Sequence, residues 1–172
     1  MVPPLTVEHQ PFPLVHDGTY ANDNFGLATL LDLKNDNLSW TRMSLMKFDL
    51  PPRVISATLT ITIVSMLGDD ASRTVRIRPI SNVWDEYTVT WDSLGTITTS
   101  NAQDVQFDVA YTASLPFDVV IDVSSLLPSS SGSTQTFSLF FDFASPIVGN
   151  NHFSIESKEA AGSSGATLST AR

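Results

Sequence analysis

The chain has 172 residues, a formal net charge of −9 and 42% hydrophobic residues. This length and composition are typical of one folded domain, predicted here to span residues 1–172, and they exclude an intrinsically disordered chain. Cysteine is absent, so disulfides, thiolate catalysis and cysteine-ligated zinc are excluded. The excess of acidic over basic residues disfavours a general nucleic-acid binder, because phosphate contacts need clustered Lys and Arg.

Short stretches with alternating apolar and polar residues run through most of the chain. Leu59, Ile61 and Ile63 alternate with threonines, and this period of two predicts a half-buried strand. In chain order, the same pattern predicts strands at Thr29–Lys34, Met43–Leu50, Leu59–Ile63, Val75–Arg78, Thr88–Trp91, Val105–Val109, Phe117–Val123, Phe137–Phe143 and Phe153–Ser157. A helical turn is predicted at Val123–Leu127 and a last short strand around Leu168. So many short strands predict an all-β fold, an antiparallel β-sandwich of the jelly-roll type.

Several motifs occur in a fixed order along the chain. Lys47–Leu50 reads K-F-D-L, Trp84–Trp91 has the form W-x-E-x-x-x-T-W, and Ser157–Glu159 reads S-K-E. Together they resemble the DNRLRE domain family, which is carbohydrate-binding module family 96. The resemblance implies a β-jelly-roll module, attached to polysaccharide lyases or other extracellular proteins, that binds anionic polysaccharides such as alginate through basic residues. Asp92–Gly95 and Ala166 stand where this family usually has prolines, so two loops are expected to differ in shape.

Basic residues fall on the polar side of several predicted strands. If the aliphatic residues between them point into the core, these cations point to solvent and share one sheet surface. The set consists of Lys34, Lys47, Arg76 and Arg78, with Arg42 and Lys158 as candidate flankers. Cations on strands about 4.8 Å apart could pair with the regularly spaced carboxylates of a uronate polymer. The alternative is that they are solvated residues paired with nearby acids, which contributes only about 0–1 kcal/mol per pair.

Two aromatic residues lie in polar loops, where the surrounding residues do not alternate as they would in a strand. Tyr20 and Trp40 could therefore stack on sugar rings and add to ligand binding. Trp84 and Trp91 belong to the W-x-E-x-x-x-T-W motif, and we expect them to anchor the core or a loop instead.

One loop near the start of the chain is rich in oxygen ligands. Asp17, Asn22 and Asp23, followed by Asn24, could hold a structural calcium ion, which takes six to eight oxygens. The alternative is that these side chains form Asx turns that shape the loop. His16 precedes the turn at Asp17 and is expected to be exposed.

The predicted function is non-catalytic binding of a polysaccharide. The sequence contains no nucleophile elbow, P-loop or dinucleotide fingerprint that would indicate catalysis. The ligand is predicted to be anionic, for example alginate, and the module to be extracellular and covalently attached to an enzyme that it holds on its polymer. The alternative is a structural or adhesive β-sandwich of a cell surface or matrix without glycan specificity. No nucleic-acid or membrane partner is predicted.

Overall fold

The computed structural model describes residues 5–7, 13–35, 40–68, 72–95, 103–110, 114–145, 151–162 and 165–172. Its strands are β1 (Leu5–Val7), β2 (Leu14–His16), β3 (Leu30–Lys34), β4 (Arg42–Leu50), β5 (Ser56–Leu67), β6 (Ser72–Ile80), β7 (Val105–Ala110), β8 (Phe117–Asp122), β9 (Gln135–Phe143), β10 (His152–Glu156) and β11 (Thr167–Ala171). A four-residue helix, α1 (Trp91–Leu94), and two 3₁₀ turns, Gly18–Tyr20 and Ser124–Leu126, complete the elements. None of the described helices is long and apolar enough to cross a membrane.

The strands pair in the order β1-β11-β5-β10-β3-β4-β9-β6-β7, with β2 also paired to β4 and β8 to β5. Every pairing is antiparallel. The sheet curls so that side chains from its distant strands meet in one core, where the rings of Phe143 in β9 and Phe153 in β10 lie 5.5 Å apart. The predicted all-β class, an antiparallel jelly-roll sandwich, is confirmed.

Strand β4 separates two apolar clusters, because its side chains alternate between its two faces. Met46, Phe48 and Leu50 pack in the main core. On the opposite face, Leu45 packs in a second cluster, which also contains Val15, Ile80, Trp84, Val89 and Phe140, with Met43, Trp91 and Leu94 partly buried against it. The segment 81–95 therefore covers the outer face of β4, β9 and β6, and it gives that face a core of its own.

The predicted strand at Thr88–Trp91 is wrong. Thr90 is instead the N-cap of α1: its side chain accepts a hydrogen bond from the Ser93 N–H, and the Ser93 side chain accepts one from the Thr90 N–H. This reciprocal capping box satisfies two N–H groups that a helix start leaves free, so a helical turn forms where the alternation suggested a strand. The other predicted strands, the helical turn and the last strand around Leu168 are confirmed.

Candidate functional site

The predicted cations do not share one surface. Arg42 and Lys47 are five residues apart in β4, so they point to opposite faces. Lys34 pairs with Arg42 in the strand register, and its side chain is only 8% exposed. The expectation that Lys34 points to solvent is wrong, because its register partners, Arg42 of β4 and His152 of β10, flank it on both sides and help to cover it.

Two of the predicted flankers lie against acids. Arg42 donates to Asp32 with an N–O distance of 2.5 Å. Lys158 Nζ lies 3.2 Å from both Glu86 and Glu159. Burial lowers the pKa of Lys158, but its hydrogen bonds to the two carboxylates outweigh that effect, and the pKa is raised overall. At both positions the alternative of pairing with acids is confirmed.

Lys47 joins β4 to the segment 81–95. Its ammonium donates to the Trp84 carbonyl at 2.5 Å and lies 4.1 Å from the centre of the Trp84 ring. Burial lowers the pKa of Lys47, although the nearby carboxylates, Asp85 first among them, oppose the shift. Lys47 thus fastens Trp84, which is 5% exposed, over the outer face, and the expectation that Trp84 is an anchor is confirmed.

Arg76 and Arg78 lie next to each other on the outer face of β6 and share one carboxylate. Arg76 donates from Nε and Nη2 to the two oxygens of Asp142, at 3.0 and 2.5 Å, and Arg78 donates from Nη2 to the same carboxylate at 3.0 Å. The hydrogen bond to Asp142 raises the pKa of Arg76. Asp142 is 4% exposed, so the acid is buried beneath two partly exposed guanidinium groups.

A groove of about 510 Å³ opens beside these arginines, between the outer face of the sheet and α1. We call it the arginine groove; it is lined by Met43, Arg78, Ile80, Trp91, Asp92, Leu94, Gly95 and Phe140. The Arg78 guanidinium lies 5.1 Å from the centre of the Phe140 ring. Within the described part of the chain, Arg78 uses Nη2 alone for hydrogen bonding, and its buried Nε has no partner. An indole ring, a cation and a carboxylate thus meet in one concave surface.

A second group of side chains forms around the 3₁₀ turn Gly18–Tyr20. We call it the aromatic cluster; its members are His16, Tyr20, Phe25 and Trp40. The His16 ring meets Tyr20 edge-on at 4.9 Å and Trp40 edge-on at 5.5 Å between centroids. The Tyr20 and Trp40 rings lie 6.1 Å apart. The two aromatics that were predicted as ligand contacts are therefore neighbours.

Hydrogen bonds fix the polypeptide beneath the aromatic cluster. The His16 ring nitrogen Nδ1 lies 2.6 Å from the Asp17 carbonyl. Two hydrogen bonds link Asp17 to Thr41. The Asp17 carboxylate accepts from the Thr41 N–H at 2.8 Å, and the Asp17 N–H donates to the Thr41 carbonyl at 3.1 Å. His16 is only 4% exposed, so the expectation of an exposed histidine is wrong; the surrounding rings cover it.

The loop proposed to hold calcium is held by hydrogen bonds of its own. Asn24 accepts the Gly26 N–H through its side chain, which confirms the Asx-turn alternative at that position, and it donates to the carbonyls of Glu86 and Val89. Asn22 and Asp23 are exposed. Among the residues that the structure describes, no three His, Asp or Glu side chains form a group that could hold a metal. Calcium binding by Asp17, Asn22 and Asp23 stays a prediction.

Three features of the site were not predicted. Asp142 is the lone charged residue in the run F-S-L-F-F-D-F, which is apolar apart from one serine, and such a residue signals a paired buried charge. Trp91 and Asp92 line the groove only because α1 forms there, which the alternation concealed. His16 at the centre of the aromatic cluster had no sequence signal, because nothing in the local pattern shows that Trp40, from a different loop, joins Tyr20 around it.

The comparisons with known proteins give one family and one structural likeness. No curated protein matches the chain. The N-terminal CBM22-1 and GH10 modules of an endo-1,4-β-D-xylanase 10B from Clostridium thermocellum, solved with xylohexaose, align with 95% of this chain at 12% identity and a TM-score of 0.37. The aligned region spans 29% of that solved chain. The model of carbohydrate-binding module family 96 matches residues 13–170, nearly the whole sequence, and the chain belongs to that family.

Proposed function

We propose that the chain is a non-catalytic module that binds an anionic polysaccharide, such as alginate, in the arginine groove. The module would act outside the cell and hold a covalently attached enzyme, for example a polysaccharide lyase, close to its polymer. Such tethering raises the local substrate concentration without any change in the catalytic site. Membership of a carbohydrate-binding family supports the general function, and the arginines support the choice of an acidic ligand.

The observation that carries the proposal is the pair of guanidinium groups that share one carboxylate. Within this triad Asp142 balances one of the two positive charges, and Asp104 also acts on Arg76, so Arg78 is the arginine that we expect a ligand to use. Arg78 lines the groove with most of its donors unused, and a sugar carboxylate can accept two parallel N–H donors from a guanidinium group. Trp91 and Phe140 supply apolar ring surface beside it, which suits the ring of the same sugar.

Negative charge opposes this ligand and sets a limit on its affinity. Asp92 also lines the groove, and the chain as a whole carries −9. Charges farther than about 8 Å are screened at physiological salt, so the arginines dominate locally while the remaining acids weaken attraction at long range. We therefore expect modest affinity that decreases as salt is added.

The test measures binding of the module to immobilised alginate at low and high salt. We expect measurable binding at low salt and much weaker binding at high salt. The variant Arg76→Gln/Arg78→Gln/Asp142→Asn replaces the two cations and their acid by amides, so no buried charge loses its partner. It should lose about tenfold or more in affinity, because hydrogen bonds to charged groups contribute about 1.5–3 kcal/mol.

Arg172→Gln provides a matched control, because both variants lower the net charge by one and Arg172 is an exposed residue at the end of β11. It should bind alginate like the unaltered chain. Equal affinity of the triple variant and this control would contradict the role of the arginine groove. If the unaltered module bound no polysaccharide at all, the structural or adhesive alternative would be favoured.

A further inference from the structure

The aromatic cluster and the arginine groove lie on opposite faces of β4, although the Asp92 N–H in the groove wall donates to the carbonyl of Ala21, next to Tyr20. His16 pairs with Arg42 across β2 and β4, whereas the groove residue Met43 is the next residue of β4 and points to the other face. Ionic binding in the groove therefore does not account for the cluster.

The cluster exposes two large rings side by side. Tyr20 is 40% exposed and Trp40 is 44% exposed, and their centroids are 6.1 Å apart. Single exposed aromatics are common on protein surfaces, so the notable feature here is that two of them are adjacent and are held in place from behind. The buried His16 ring, edge-on to both, and the hydrogen bonds between Asp17 and Thr41 hold them there. Little side-chain entropy is then lost when a ligand binds.

The polar atoms of the cluster indicate what kind of ligand it takes. In the described part of the chain, neither the Tyr20 hydroxyl nor the Trp40 indole N–H makes a hydrogen bond, and the buried His16 Nε2 has no partner. An apolar protein partner would cover the exposed polar atoms without satisfying them, and that is costly. A sugar presents an apolar ring face together with hydroxyl groups, so it can stack and form hydrogen bonds at once.

The angle between the rings indicates the shape of the chain. The planes of Tyr20 and Trp40 are inclined by 57°. Coplanar rings would match a flat surface of aligned sugar chains, such as a crystalline polymer. Inclined rings match successive sugars whose ring faces turn relative to each other, as in a soluble, twisted chain.

We infer that the aromatic cluster is a second glycan-binding site, which stacks Tyr20 and Trp40 on the pyranose rings of a soluble, twisted polysaccharide and requires no charge on the sugar. The inference rests on the proposed function only in taking a polysaccharide as the ligand. Binding at this site should be nearly independent of salt, whereas binding in the arginine groove should not be.

The test measures binding of the full chain to soluble mixed-linkage β-glucan, an uncharged polymer, and to crystalline cellulose. We expect binding to the soluble glucan at low and high salt alike, and little depletion by crystalline cellulose. Tyr20→Ala/Trp40→Ala should weaken glucan binding at least about tenfold, since the loss of a stacked ring costs about 1–3 kcal/mol in the comparable stacking of nucleic-acid bases. Tyr20→Phe/Trp40→Phe, which keeps two rings but removes the hydroxyl and the indole N–H, should bind more tightly than the alanine variant and more weakly than the unaltered chain.

Tyr87→Ala is the matched control, because Tyr87 is 65% exposed and lies outside the aromatic cluster. It should bind the glucan like the unaltered chain. The single variants Tyr20→Ala and Trp40→Ala keep the proposal testable if the double alanine variant does not fold. No glucan binding by the unaltered chain, or equal binding by the alanine variants, would overturn the inference; equal binding to crystalline cellulose would overturn the twisted-chain ligand. Loss of alginate binding in the arginine variant leaves these results unaffected, so the two proposals can fail separately.

Discussion

At the scale of single residues, the acid beside each cation determines how much of its charge is left for a ligand. Asp142 is buried and holds two arginines, so the face keeps one positive charge that is not balanced within this triad. Asp32 and Glu86 each hold one cation of the predicted set, which leaves no such excess. Among the cations that are paired with acids, Arg78 therefore leaves the most room for a ligand carboxylate, and it lines the arginine groove.

Lys158 contributes stability that should depend on pH. Lys158→Met leaves the buried Glu86 without this cation, and we expect a loss of about 1–3 kcal/mol in the free energy of unfolding near neutral pH. Because the pKa of folded Lys158 is raised above 10.5, its contribution is fully present below about pH 10.5 and disappears as the pH rises through the folded pKa. Urea unfolding of both proteins at pH 8 and at pH 11 measures the difference, because the contribution of Lys158 is fully present at pH 8 and is reduced at pH 11.

Lys47→Met gives the control with the opposite sign. The pKa of Lys47 is lowered by burial, so folding disfavours its charged form. The unfolded chain then binds more protons between the folded pKa and 10.5, and Lys47 makes the unaltered chain more stable as the pH rises through that range. Parallel pH profiles for the two variants would contradict at least one of the two assignments.

The orientation of Arg76 and Arg78 could be predicted from alternation alone, because period two is a local property of a strand. Their partner could not, since Asp142 lies 66 residues from Arg76 along the chain and reaches it only through the pairing of β6 with β9. The predicted exposure of Lys34 was wrong for a related reason, because alternation gives the direction of a side chain but not which groups cover it.

At the scale of elements, the loop before β3 and the segment 81–95 form one docked unit. Asn24 donates to the carbonyls of Glu86 and Val89, and the Asp92 N–H donates to the Ala21 carbonyl at 3.0 Å. Gly26 permits this close approach, because a Cβ at that position would lie 2.3 Å from the Glu86 carbonyl oxygen. The docking places α1, and with it one wall of the arginine groove.

Gly26→Ala should therefore push the two segments apart. We expect a loss of about 1–3 kcal/mol in the free energy of unfolding, typical of overpacking against backbone, together with weaker binding to alginate. Thermal and urea unfolding measure the first effect, and the alginate assay measures the second. Gly132→Ala is the control, because a Cβ there meets nothing within 4 Å. Equal stability of the two variants would show that the close approach at Gly26 is not needed.

Strands and covering segments differ in how far sequence predicts them. Strands such as β4 and β5 follow from the alternation of their own residues. The segment 81–95 has no such period, and its form depends on Trp84 and Val89 finding apolar partners on a sheet built from other parts of the chain. The groove was missed for that reason, although its tryptophan had been assigned to an anchoring role.

At the scale of the whole molecule, β4 separates two surfaces with different chemistry. Its Arg42 side faces the aromatic cluster, and its Met43 side faces the arginine groove. Among the described residues, the Asp92 N–H at the wall of the groove donates to the carbonyl of Ala21, which follows Tyr20, but no residue belongs to both surfaces. We therefore expect a ligand on one surface to have little effect on affinity at the other. Sites without shared partners usually contribute additively to binding.

Combining the variants tests that independence. With a short oligosaccharide that fills one surface at a time, the losses from Tyr20→Ala/Trp40→Ala and from Arg76→Gln/Arg78→Gln/Asp142→Asn should add to within about 0.5 kcal/mol in binding free energy. With a long acidic polymer, both surfaces can engage at once, and either variant alone should then remove more affinity than it does with the short ligand, because avidity is lost.

Titration calorimetry with alginate fragments of increasing length measures both the additivity and the loss of avidity. A coupling well above this value with the short ligand would mean that the aromatic cluster and the arginine groove belong to one continuous site, and the separation by β4 would not hold in the bound molecule.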